Sequence, residues 1–317
     1  MWTTIEQIFP YAIAFMIPLL ITALGALFSE RSGVVNIGLD GLMIVGSFIG
    51  AFVVSKLQEI VPGAWWTVWV GLIAAAAASA LFSLLHAFAS INLSANQIIS
   101  GTAINMIAGA LTIFLARNMT GSGNIRVKNG FDTFDIPFLS DIPIIGNLFF
   151  TKMYPTTLLV LSILILSMFL LYKTPFGLRL RSCGEHPHAA EAAGIRVQSM
   201  RYVGVMISGA FSGLGGAIIL LTYSGEFTGN VAGLGFLALA SLIFGQWKPI
   251  GILLATLFFG FATTVANVSQ VIPSLAVFPP VILKIFPYIV TLIALVIFSK
   301  SSNAPKAVGE PFDSGKR

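Results

Sequence analysis

The sequence predicts an all-α fold, a polytopic helical membrane protein of about nine spanning segments (8–10), with one short helix displayed in water between two of them. Three observations predict it. Of 317 residues, 56% are hydrophobic and only 9% are charged, against about 25% charged in an average soluble domain. The apolar runs reach the ~17–25 residues that cross about 30 Å of hydrocarbon. Charge is confined to a few connections, most densely Gly177 to Val197. The net charge of +5 is no argument for nucleic acid, because a basic excess belongs to the cytoplasmic loops of membrane proteins.

In chain order, candidate spans cover 8–28, 39–55, 65–90, 98–116, 156–173, 202–224, 232–246, 250–269 and 284–299. They make one transmembrane domain over 1–299, with a loop at 177–197 inside it and a tail at 300–317. Residues 1–7 carry no Lys or Arg, so the basic start of a signal peptide is absent and the first run reads as a retained span. The third run is long enough to tilt or to extend past the bilayer. The seventh is short and Gly-rich and reads as a broken or re-entrant segment, which needs protein or a water-filled cavity around its backbone.

Orientation follows from Lys and Arg. The 173–201 segment holds Lys173, Arg179, Arg181, Arg196 and Arg201 against Glu185 and Glu191. The tail holds Lys300, Lys306, Lys316 and Arg317 against Glu310 and Asp313. Both are expected in the cytoplasm. An even number of spans separates them, so the two assignments agree. Counting back puts the N-terminus and the 117–155 loop outside. Within that loop, Pro137, Pro143 and Gly146 forbid a continuous helix over 134–150 and predict a short interfacial element.

Polar residues inside the spans come next, because each is costly in lipid. Glu30, Arg31, Asn36 and Asp40 lie at or inside the ends of the first two spans. Asn36 and Asp40 read as a polar lining for a solute path; the alternative is that Asp40 caps the next helix and that Glu30 pairs with Arg31. At helical spacing, Gln97, Gly101, Asn105 and Ala108 share a face of the fourth span. Amides offer donors and acceptors and suit a neutral polar solute such as a nucleobase or a sugar, or they serve as glue between helices. A third cluster, Thr222 to Asn230, falls on the outer side, where Glu226 sits in solvent or guards an entrance. Gly245 to Gly251 reads as a tight cytoplasmic turn, with Trp247 as an interface anchor.

Enzyme signatures are missing. Cys183 is the only cysteine, so neither an internal disulfide nor a thiolate metal site is available. The histidines are His86, His186 and His188, and the pair in the basic loop has no third ligand nearby, so no metal site is expected. There is no G-x-x-x-x-G-K-[ST], H-E-x-x-H or G-x-S-x-G. Asp40 is almost the only acid deep in a span, which argues against an ion-coupled secondary transporter.

The water-exposed helix has clear ends. Pro187 fits the first helical position, Ala189, Ala190, Ala192 and Ala193 favour helix, and Gly194 fits the stop. Small alanines allow close approach of another protein, and Arg179, Arg181 and Arg196 flank it.

Gly184 to Ile195 resembles the ATPase-coupling loop of bacterial ABC importer permeases of the branched-chain amino acid, ribose and nucleoside group. The nucleoside branch, of guanosine and purine nucleoside permeases, is similar also at Glu30 to Met43, Ala95 to Asn105, Ile136 to Gly146 and Gly235 to Pro249. The resemblance spans most of the chain. It implies a permease that binds no cofactor itself, paired with a second related permease. It further implies an ATP-binding cassette subunit that holds ATP and Mg, and an extracytoplasmic solute-binding lipoprotein. It places Glu185, Pro187, Ala189, Ala190 and Gly194 in the coupling helix. Nucleosides are the expected solute; a simple sugar such as ribose or galactose is the leading alternative, and branched-chain amino acids rank lower because a zwitterion asks for more charge in the path.

Overall fold

The computed structural model describes residues 2–268, 281–282, 285–286, 289 and 303–313. Long apolar runs become helices because a backbone in lipid must satisfy each N–H from within. Seven helices among the described residues are long and apolar enough to cross a membrane. They are α1 (Trp2–Arg31), α2 (Leu39–Ile60), α3 (Thr67–Ala87), α4 (Gln97–Thr120), α5 (Pro155–Lys173), α8 (Val197–Ile219) and α10 (Pro249–Val268). Helices α3 and α8 each continue through a π turn, Phe88–Asn92 and Leu220–Ser224.

Between them lie three shorter helices: α6 (Pro175–Glu185), α7 (Pro187–Ala192) and α9 (Leu234–Phe244). Helix α1 forms the centre and packs on α8, α9 and α10; α8 in turn packs on α2 and α3. The face of α8 is built from small residues, among them Gly209, Ser212, Gly213 and Gly216, which lets its neighbours come into backbone contact. With no gain from hiding apolar surface in lipid, such close packing is what holds a membrane bundle together.

The connections sort to two ends. One end gathers the α1–α2 connection, α6, α7, the α9–α10 turn and segment 303–313. There Gly309 N–H donates to the Gly33 carbonyl (3.1 Å), Ala307 N–H to the Gly184 carbonyl (2.9 Å), and Asn303 N–H to Gln246 Oε1 (3.2 Å). The other end carries the long loop after α4 and the stretch before α9. They meet in an antiparallel ribbon of β1 (Ile125–Arg126) and β2 (Glu226–Phe227), in register Ile125↔Phe227. The two basic segments thus share one end and the two segments expected outside share the other, as the Lys and Arg count requires.

Two expectations are sharpened by the structure, and a third lies outside what it describes. The seventh expected span, 232–246, is the 11-residue helix α9. At 1.5 Å per residue it covers about 16 Å, half of the hydrocarbon. Positive φ at Gly225, Gly229, Ala232 and Gly233 keeps the preceding backbone out of helix. The 177–197 loop holds two helices rather than one, because Thr174 accepts the Gly177 N–H (3.2 Å) and Pro175 opens α6 one turn earlier. The ninth expected span, 284–299, lies largely outside the described residues. In 134–150 the expected short element is present as a π turn at Gly146–Phe150, with Phe134 paired to Met153.

Candidate solute site

Three of the polar residues singled out in the sequence, Asn36, Gln97 and Asn105, meet at one short piece of backbone, the α1–α2 connection and the first turn of α2. Val35 N–H donates to Gln97 Oε1 (2.7 Å), and His86 Nε2 meets the Val35 carbonyl (2.9 Å). Asn36 Nδ2 donates to Ser208 Oγ on α8 (2.9 Å), while its Oδ1 accepts Gly38 N–H (3.1 Å). Asn105 Nδ2 donates to the Ile37 carbonyl (3.0 Å) and its Oδ1 accepts Gly41 N–H (2.7 Å). An irregular backbone at this depth needs such side-chain partners, and α3, α4 and α8 supply them. Asn36 and Gln97 are buried; Asn105 is half-buried.

Asp40 reaches further. It lies in the first turn of α2 but does not cap its own helix, whose cap position is Gly38. Its Oδ1 accepts the N–H of Gly235 in the first turn of α9 (2.9 Å). A carboxylate there satisfies an orphan donor and sits at the positive end of the helix dipole. A Cβ on Gly235 would run into the Asp40 backbone, so only glycine allows this approach.

The other end of α9 is held by the same stretch of chain. Trp247 Nε1–H donates to Glu30 Oε2 (2.6 Å), and Arg31 Nη2 donates to the Trp247 carbonyl (2.7 Å). Glu30 and Arg31 therefore grip Trp247 instead of pairing with each other. Trp247, expected as an interface anchor, is 6% exposed. Its indole N–H found a buried carboxylate, which outweighs the preference of Trp for the membrane interface. Residues 30 to 40 clamp a half-helix at both termini.

Beside that half-helix is a cavity of about 370 Å³, whose lining includes Glu226 of β2. This lies in the ~300–1,000 Å³ range of small-molecule sites. Leu234 and Leu237 of α9 form one wall, and Ser47, Tyr223, Asn230, Thr263 and Asn267 supply amides and hydroxyls. Ser47 stands two turns along α2 from Asp40, about 10 Å at the usual rise, and none of the four flagged residues is among the cavity's lining. Glu226 is at the rim and its carboxylate meets Arg126 Nε at 3.3 Å, tying the long loop to the cavity's edge. Thr263 and Asn267 were missed by the sequence reading, although their i, i+4 spacing in an apolar span is the same kind of signal that singled out Gln97 and Asn105.

At the opposite end, α7 starts on Pro187, and Gly194 follows it at φ +83°, as the start and stop signals require. Glu185, Ala189, Glu191 and Gly194 are exposed, whereas Pro187 and Ala190 face inward. Ala190 packs with Cys183, Val197 and Phe312. Burial pushes the Cys183 thiol above its ordinary pKa.

Comparison with known proteins agrees with this architecture. The guanosine ABC transporter permease protein NupQ of Bacillus subtilis is 47% identical over 98% of this chain and 97% of its own length. The nucleoside ABC transporter permease protein NupC of Lactococcus lactis is 41% identical over 99% and 98%. A putative glucose ABC transporter permease of Haloferax volcanii is 32% identical over 87% of each. The same Bacillus and Lactococcus strains also have a second, more distant permease relative, NupP and NupB, each 26% identical. Residues 8–295 match the family described as branched-chain amino acid transport system / permease component. The chain belongs to that family, as a membrane transport component of the ABC type and not an enzyme.

Proposed function

We propose that this chain carries nucleosides inward as one permease of an ABC importer, with its α7 end in the cytoplasm and the 370 Å³ cavity open to the outside. The observation that carries the solute class is the cavity's lining, in which uncharged amides and hydroxyls stand beside apolar walls. A nucleoside presents that mixture, a flat apolar base with donors and acceptors on its edge and hydroxyls on its sugar. The near full-length identity to a guanosine permease supports the same reading. In it, Asn36, Asp40, Gln97 and Asn105 hold the floor of the path, and the exposed face of α7, with Glu185, Ala189 and Gly194, meets an ATP-binding subunit that holds ATP and Mg. A second related permease completes the membrane unit, supported by the paired relatives in two bacteria. A solute-binding lipoprotein delivers solute to the outer end.

The glucose relative makes a sugar the competing solute. The test is radiolabelled guanosine uptake in cells with and without this chain. Uptake is expected to require the chain, to be competed by unlabelled nucleosides and to be unaffected by excess glucose or ribose. Full competition by a free sugar contradicts the nucleoside reading.

A further inference from the structure

We propose that segment 307–312, seated by Phe312, is the link through which a movement of α7 reaches α9 and the cavity wall. Phe312 is a positioning residue in this account, and the proposal rests on the reading above only for its transport readout.

The path is continuous. Phe312 is 6% exposed and packs with Ala190 of α7, Cys183 of α6 and Val197 of α8. The His188 ring lies 5.2 Å from the Phe312 ring, and the Arg201 guanidinium 5.8 Å. Arg201, itself 1% exposed on α8, donates from Nη1 to the Glu310 carbonyl (2.9 Å). Gly309 N–H then holds the Gly33 carbonyl in the α1–α2 connection (3.1 Å), and Ala307 N–H holds the Gly184 carbonyl in the last turn of α6 (2.9 Å). From Gly33 the connection runs to Asp40, which holds the N-terminus of α9. Helix α7 packs on α6 and only slightly on α8, and its two buried residues are Pro187 and Ala190, the second of which Phe312 covers. Phe312 therefore joins α6, α7 and α8 in one packed cluster through which a displacement of α7 is passed on.

The chain's single cysteine makes this testable without an added reporter. Cys183 is fully buried in the Phe312 cluster, and burial raises its thiol pKa, so it is expected to react slowly with maleimide. In the assembled transporter, Phe312→Ala is expected to raise labelling of the Cys183 peptide about tenfold. It is also expected to lower solute taken up per ATP hydrolysed by about fivefold or more. Phe312→Leu, which refills the seat, should restore both. Unchanged labelling, or an unchanged uptake-to-hydrolysis ratio in Phe312→Ala, overturns the proposal. Where Phe312→Ala fails to assemble, the deletion of 310–317 decides instead, and wild-type labelling or a wild-type ratio in it overturns the proposal as well. A wild-type complex that carries glucose and not guanosine sinks the solute reading alone, and the ratio is then read with glucose.

Discussion

Asp40 carries its weight as a hydrogen-bond acceptor for a backbone 195 positions away. If that is its role, charge matters less than the oxygen. Asp40→Asn keeps an oxygen at the same reach and is expected to change thermal stability little. Asp40→Ala strands the buried Gly235 N–H, which costs about 1–3 kcal/mol. Thermal unfolding of the two variants in the same detergent separates these outcomes, and equal loss in both would show that the carboxylate charge is what counts. The sequence singled out Asn36, Asp40, Gln97 and Asn105, because polarity in an apolar run is visible locally. What each one holds was not visible. Their partners are backbone groups at Val35, Ile37, Gly38, Gly41 and Gly235 and a hydroxyl at Ser208, and no spacing rule links Asp40 to a glycine in another helix.

Among the elements, α9 is the one that departs from a simple bundle. It is a half-length helix, clamped by Asp40 at one terminus and by Glu30 and Arg31 through Trp247 at the other. Its first turn walls the cavity through Leu234 and Leu237. Half-helices of this kind place polar backbone at membrane depth, where transporters bind solute. Gly235 is where α9 touches α2 through backbone, so Gly235→Val is expected to push α9 off Asp40 and abolish uptake while the chain still inserts in the membrane. Uptake at the wild-type rate with normal expression would mean that α9 tolerates displacement. The neighbouring spans were legible nearly to the residue, since 98–116 and 156–173 became Gln97–Thr120 and Pro155–Lys173. The run at 232–246 was legible as short and broken from its glycines, but not where the helix starts, because hydropathy records composition whereas the break comes from positive-φ positions at Ala232 and Gly233. Helix α6 was missed because its charges read as a loop, although Thr174 and Pro175 are ordinary start signals.

At the scale of the molecule, two machines share one bundle. One end offers a helix with an exposed alanine face, with the α1–α2 connection and the 303–313 segment beside it, and the other offers a polar cavity with Glu226 at its rim. The end-to-end sorting was legible from Lys and Arg alone. The role of 303–313 was not, because a single Phe312 among polar residues gives no periodic signal. The central claim, that solute movement here is driven by a separate ATPase acting on α7, is tested most directly in liposomes. The chain is reconstituted with its second permease, ATP-binding subunit and lipoprotein, and guanosine entry is followed with and without ATP. Entry is expected only with the full set and ATP. Guanosine uptake by this chain alone, down a proton gradient and without nucleotide, would contradict the account.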